Sequence, residues 1–208
     1  MNLNKPSCFA TICTSNCKQE LIGFILSLSI YHKNELVYIM CDEDTKINYD
    51  NMSFKPELKI KWFIELDKYT KYNRQEMEIL NIWSEFQMSK SIILDYALKE
   101  NNDCLFLDSD IILTEQINDI NTKYSLGVCP GFINKETYEK YGYYNGGMLW
   151  VKDKEIPQKW REYTKTSRYF DQASIEDLYN EYKKTDDVFV FDDNYNLQSW
   201  RFIVGEEP

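Results

Sequence analysis

Histidine is almost absent from this chain of 208 residues: His32 stands alone. The six cysteines form no C-x-x-C pair, and His32 is far from any matching ligand pattern, so no zinc-site spacing is present. Glycine and proline are also scarce, at seven and five, which excludes a low-complexity or disordered chain. Basic charge is in deficit, with 24 Lys and Arg against 34 Asp and Glu and a net charge of −10. Such a balance argues against a nucleic-acid or anionic-membrane partner, either of which wants a basic face. The longest apolar run, LIGFILSLSI at 21–30, is shorter than the ~20 residues of a membrane span. The opening MNLNKPSCFATIC lacks the basic start and apolar core of a signal peptide. A soluble, intracellular, cytoplasmic protein with free thiols is the expectation.

What the chain does have is length and aromatic mass. It is long enough to bury a sizeable core as one domain. Its 16 Tyr, 11 Phe and 5 Trp suit both a core and platforms for sugars or bases. Strands are expected at 7–13 (SCFATIC), 35–41 (ELVYIMC) and 58–66 (LKIKWFIEL), with a largely apolar helix at 19–31 covered on both sides. Residues 45–56 read as a loop or short helix, and 74–99 as two helices. Further strands are expected at 124–129, 148–151 and 188–191, with one more at 200–204. Further helices are expected at 135–141, 156–165 and 172–183. Strands alternating with helices in the first half predict parallel β-α-β units, and the mixed second half predicts added antiparallel strands. The class is α/β, with a mostly parallel central sheet flanked by helices.

The chain is organised around 103–113, DCLFLDSDIIL, in which two apolar runs enclose Asp108, Ser109 and Asp110. A buried strand has no use for two neighbouring acids, since each would be desolvated without a partner. The carboxyl end of a central strand is the favourable place for them, because an open α/β sheet forms its ligand crevice there. Carboxylates at i and i+2 can converge on one hard cation, Mg²⁺ or Mn²⁺, that also carries substrate phosphates. The triplet alone is equally met by Asp108 capping the strand and Asp110 starting a turn.

Three other segments follow in a fixed order with FLDSDIIL: CFATICTSN before it, and YYNGGMLWV and YFDQASIEDL with DDNYNLQSW after it. Together they resemble the GT-A glycosyltransferases, in particular the branch with glycogenin and the bacterial lipopolysaccharide hexosyltransferases, over nearly the whole chain. Sugar-nucleotide transferases encoded by large viruses are a neighbouring resemblance, for which the cytoplasm would be the host's. The resemblance implies a single GT-A, Rossmann-like domain spanning 1–208, with a nucleotide-binding half at 1–113 and a sugar and acceptor half at 114–208. It implies a nucleotide-diphospho-sugar donor, in the first place a UDP-sugar, a glycan or glycoprotein acceptor, and retention of anomeric configuration.

Carried over by motif, Asp110 binds the Mn²⁺ or Mg²⁺ most directly, and Asp108 contacts the metal or the ribose, with Ser109 between them. Ala10, Thr11, Ile12 and Thr14 match the base-binding segment, and Lys90 a lysine that reaches the donor. Asn145, Gly146 and Gly147 match the segment beside the donor sugar. Asp171 and Gln172 match the pair that hydrogen-bonds the sugar hydroxyls and orients the anomeric carbon. Other uses stay open: Lys90 as a solvated helix lysine, Asn-Gly-Gly as a turn before a strand, Asp171 as a helix N-cap. Trp150, Tyr143 and Tyr144 could stack on sugar or sit in the core.

One departure stands out. Glycogenin-type members take a third metal ligand from a late histidine, and this chain ends RFIVGEEP without one. The chain is then a domain of a longer protein, or water and diphosphate complete the metal shell, or activity has been lost; the first two are favoured. Two competing classes remain. LFLDSD with VFVFDD (Asp192, Asp193) mimics two motifs of haloacid-dehalogenase-like phosphatases, although Ile112 stands where their first motif has Thr. A sugar-nucleotide-binding module without catalysis is the other.

Overall fold

All five side chains of FATIC are buried, as a strand covered on both sheet faces requires. The computed structural model describes residues 3–131, 135–192 and 195–196. After a short strand β1 (Leu3–Asn4), the FATIC segment forms β2 (Phe9–Cys13) and leads through a 3-10 turn, Ser15–Cys17, into helix α1 (Lys18–Tyr31). Strand β3 (Leu36–Cys41), helix α2 (Glu43–Asp50) and strand β4 (Lys59–Ile64) continue the alternation. The acidic run after β3 has a local cause. Asp42 caps α2 by accepting the Thr45 N–H at 2.7 Å, and Glu43 and Asp44 lie in the first turn, where the helix dipole favours negative charge.

Residues 74–99 divide as expected into α3 (Arg74–Ile79) and α4 (Trp83–Glu100). Helix α3 opens with an Asn73–Glu76 capping box, and Asn81 in the left-handed region (φ 58°) separates the two helices. The break leaves Ile79 and Leu80 exposed, so Leu80 does not continue the apolar face of α4. Strand β5 (Cys104–Leu107) follows and stops at Asp108. The second apolar run, 111–113, is not a strand: it forms the start of a segment laid over α1. The Leu113 N–H donates to Ser27 Oγ at 3.1 Å and the Ile117 N–H to His32 Nε2 at 3.0 Å. This segment is the second cover that the all-round apolar α1 needs.

The remaining elements are β6 (Ile120–Asn121), β7 (Leu126–Pro130), α5 (Lys135–Tyr141), β8 (Tyr144–Val151), α6 (Ile156–Thr164), α7 (Phe170–Lys183) and β9 (Val188–Val190). Asn145, Gly146 and Gly147 therefore lie inside β8 rather than in a turn before it. The strand expected at 200–204 falls outside the described residues. Strands β1 and β6 form a small antiparallel pair that the sequence pattern did not announce.

The main sheet has the order β4-β3-β2-β5-β8-β7-β9. Strands β4, β3, β2 and β5 run parallel, and β8 is antiparallel to both β5 and β7. Strand β9 is parallel to β7. This is one α/β domain with a mixed, mostly parallel sheet. Helix α1 packs one face over Phe9, Val37, Ile39, Leu105 and Leu107. Helices α4, α6 and α7 cover the other, over Ala10, Ile12, Tyr38 and Phe106. None of the described helices is long and apolar enough to cross a membrane.

Candidate active site at the strand-order reversal

Strand β2 leads through α1 to β3 on one side, and β5 arrives on its other side. The order thus reverses between β2 and β5, and an open sheet has its crevice beyond the carboxyl ends of such a pair. There the turn after β2 faces the acids after β5: Ser109 is within hydrogen-bonding reach of the Cys13 thiol, and the Cys17 thiol feels the charges of Asp110 and Asp108. Burial, then Glu20, Asp110 and Asp108, push the Cys17 thiol up. The 14–17 turn is pinned by the fully buried Asp42, which accepts the Ser15 N–H at 2.5 Å.

Lys90, on the buried face of α4, brings four elements together. Its Nζ lies 3.0 Å from Asp108 Oδ1 after β5 and 2.9 Å from Asp171 Oδ2 in the first turn of α7. It also donates to the Gly146 carbonyl of β8 at 3.1 Å. The lysine is not a solvated helix residue: its side chain is 6 % exposed, against 9 % for Asp171 and 35 % for Asp108. Burial opposes its charge, and Asp108 and Asp171 more than offset that, so the ammonium titrates above the ordinary lysine value. For Asp108, burial pushes the carboxyl up to about 6; Lys90 pulls against this, while Asp110 and Asp171 add to it. Asp110 is exposed.

The two glycines explain how these carboxylates come so close. A Cβ on Gly146 would overlap Asp171 Oδ2, and one on Gly147 would stand 2.7 Å from Asp108 Oδ2. Asn145 Oδ1 accepts the Gly147 N–H at 2.6 Å, and the Asp108 N–H donates to the Gly147 carbonyl at 2.8 Å. The strand edge is thereby fixed against the acid turn. Asp171 is not the N-cap of α7, a position held by Tyr169. Its carbonyl accepts from the Trp160 indole at 3.0 Å and its carboxylate turns to Lys90. Phe170, just before it, has φ 36°, a disfavoured conformation for a bulky residue. Gln172 is half-buried, with its amide reaching the Gly142 carbonyl at 3.4 Å.

Other sequence-derived residues lie elsewhere. Ala10 and Ile12 are core side chains on the α4 face, and Thr11 is fully buried with its hydroxyl unpartnered. Only Thr14, also buried, stands at the crevice end of the strand. Trp150 is wholly core, its indole N–H donating to Asp103 Oδ1 at 3.0 Å, and Tyr144 is buried while Tyr143 is exposed. Asp192 follows β9, three strands from β5 and about 14 Å away at the usual strand spacing, so the two phosphatase-like motifs do not meet. Asp193 lies outside the described residues.

Three residues near the site escaped the sequence reading. Arg74 of α3 donates to the Tyr169 hydroxyl at 2.8 Å and lies 5.1 Å from the centre of the Trp83 ring, tying α3 and α4 to the segment before Asp171. Tyr169 in turn packs edge-on against Tyr141, ring centres 4.5 Å apart. No spacing rule links positions 74, 141 and 169. The aromatic surplus near YYNGG was the available signal.

Among the described residues, no group of three or more His, Cys, Asp or Glu side chains is arranged to hold a metal ion. Asp108 and Asp110 nevertheless fit a hard divalent ion by donor chemistry: both are carboxylates, and Asp108 Oδ2 lies on the side of the group away from the oxygen that Lys90 holds. An ion of this kind held there would keep several waters and would have room for phosphate oxygens as further ligands.

The fold is similar to that of solved GT-A glycosyltransferases. The glycosyltransferase GlyE of Streptococcus pneumoniae TIGR4 superposes with a TM-score of 0.66 at 14% identity, over 97% of this chain and 49% of that one. The galactosyltransferase LgtC, solved with donor and acceptor sugar analogs, gives 0.63 at 13% identity over 94% and 77%. Mouse xyloside xylosyltransferase 1 gives 0.57 at 11% identity over 95% and 90%. This chain thus spans about half the length of GlyE. No protein-family model and no curated protein matches the sequence.

Proposed function

We propose that the chain is a glycosyltransferase that takes a sugar from a nucleotide-diphospho-sugar, a UDP-sugar in the first instance, and passes it to a glycan or glycoprotein acceptor. The observation that carries this reading is the Lys90–Asp108–Asp171 cluster at the strand-order reversal of a GT-A fold. Residues 1–113 form the nucleotide half in this reading and 114–208 the sugar and acceptor half. The base lies against the end of β2, using Thr14 and the backbone of the Ala10-Thr11-Ile12 strand and the turn held by Asp42.

Asp108 and Asp110, spaced by Ser109, hold the divalent ion. A bound Mn²⁺ or Mg²⁺ would supply Lewis-acid stabilisation of the departing diphosphate, where negative charge grows. Gly146 and Gly147 let the donor sugar lie against bare backbone, with Asn145 at its edge. Asp171 and Gln172 hydrogen-bond the sugar hydroxyls, and Lys90 holds the Asp171 carboxylate in place through its 2.9 Å contact with Oδ2. Retention of configuration accompanies this reading. So does an intracellular setting, in which Cys17 and the five buried cysteines remain thiols. The phosphatase reading loses its second motif with the distant Asp192.

Calorimetric titration of UDP with and without Mn²⁺, on the native protein and Asp110→Ala, is the test. Mn²⁺-dependent binding that the substitution abolishes is expected, followed by slow hydrolysis of one UDP-sugar in a screen. No UDP binding in either condition would remove the transferase reading and the sugar-nucleotide-binding module with it.

A further inference from the structure

Lys90 is a buried cation set among oxygens: Asp108 Oδ1 at 3.0 Å, Asp171 Oδ2 at 2.9 Å and the Gly146 carbonyl at 3.1 Å. The ammonium therefore takes the kind of ligand that a divalent ion in this crevice would seek. Glycines at 146 and 147 leave no side chain to keep the acids apart, so without Lys90 two recessed carboxylates would face each other beside Asp110. Three like charges at close quarters either take up protons or bind a cation.

We propose that Lys90 is a resident counter-cation that makes divalent-ion binding conditional on the diphosphate. While the ammonium holds Asp108, the crevice has too few free oxygens and too little net negative charge to retain Mn²⁺ by itself. An arriving diphosphate brings both, and the ion enters with it. The inference rests on the glycosyl-transfer reading and adds an order to it: the free protein is nearly metal-free, and nucleotide and ion bind as a coupled pair. Linkage makes the coupling reciprocal, so Mn²⁺ raises UDP affinity by the factor by which UDP raises Mn²⁺ affinity. A lysine with only a packing role would leave the metal affinity of the nucleotide-free protein unchanged when replaced.

The test measures free Mn²⁺ by electron paramagnetic resonance during titration of the native protein and Lys90→Gln, each with and without UDP. In the native protein UDP is expected to tighten Mn²⁺ binding about 100-fold. Lys90→Gln is expected to bind Mn²⁺ about 10-fold more tightly than the native protein when UDP is absent, with a smaller further gain from UDP. Equal or weaker Mn²⁺ binding by the variant without UDP overturns the inference. Should Lys90→Gln fail to fold alone, recovery of a cooperative thermal transition on adding Mn²⁺ supports it, and failure to recover overturns it. Failure of the underlying reading shows separately, as absence of UDP binding to the native protein.

Discussion

A methyl group on Gly147 would stand 2.7 Å from Asp108 Oδ2, closer than side-chain carbons approach oxygen. The neighbouring Gly146 bears the same relation to Asp171, and neither glycine has a left-handed φ. The missing side chain, rather than backbone freedom, is what the strand needs here. Gly146→Ala and Gly147→Ala should each destabilise the fold by about 1–3 kcal/mol, because one carboxylate must shift against packed surroundings. Each should also weaken Mn²⁺-dependent UDP binding at least ~10-fold, about 1.4 kcal/mol. Thermal unfolding and calorimetry check the two effects; alanine variants that bind like the native protein would refute the steric argument.

Much of this arrangement was legible beforehand. Asp108 and Asp110 announced themselves because two acids behind an apolar strand have few stable locations, and the alternation of strands with helices through the first half of the chain pointed to the parallel half of the sheet. Position 90 was harder. A lysine in a helix is usually a solvated one, and only the distant Asp171 reveals that Lys90 is buried. Asn145-Gly146-Gly147 resembled a turn because glycine is common in turns. In β8 the two glycines instead serve a close approach that depends on partners 39 and 25 residues away, Asp108 for Gly147 and Asp171 for Gly146. The contact of Arg74 with Tyr169 spans 95 positions and left no periodic trace.

Cys17 is the exposed member of the six free cysteines, and it stands beside the acid turn. N-Ethylmaleimide should therefore label the native protein once, at Cys17, and slowly, since its thiol is held above the ordinary value. Saturating UDP with Mn²⁺ should slow that labelling about 10-fold or more, as the donor covers the 14–17 turn. Mass spectrometry of the labelled peptide reads the rate, and an unchanged rate would move the nucleotide away from β2.

His32 gives the fold a pH dependence of known sign. Its Nε2 accepts the Ile117 N–H, so the proton sits on Nδ1, which is buried without a partner. Burial holds its pKa below the ordinary 6.5. At pH above 6.5 folded and unfolded chains both carry a neutral ring and nothing is lost. Below 6.5 the unfolded chain takes up the proton first, so stability falls until the folded ring also protonates. His32→Gln keeps an acceptor for Ile117 and should be about 1 kcal/mol less stable at pH 8, with a flatter decline toward pH 5.5. Urea unfolding at several pH values decides it: parallel native and variant curves would assign the acid sensitivity elsewhere.

The opposite end of β5 separates stability from ligand binding. Asp103 is buried and accepts the Ser7 N–H at 2.9 Å, the Ser7 hydroxyl at 2.6 Å and the Trp150 indole N–H at 3.0 Å. One carboxylate thus ties the segment before β2 to the fully buried Trp150 of β8, a strand's length from Asp108. Asp103→Ala leaves a backbone N–H and an indole N–H in the interior without their acceptor, which should cost about 2–4 kcal/mol. Asp103→Asn retains an acceptor oxygen and should lose roughly half as much. At a temperature where circular dichroism shows both variants folded, Mn²⁺-dependent UDP affinity should match the native value within about twofold, because additivity holds for sites this far apart. Denaturant unfolding gives the first quantity and calorimetry the second. A loss of UDP affinity in folded Asp103→Asn would mean that the two ends of β5 are coupled through the strand, and the crevice could then no longer be treated as independent of the core beneath it.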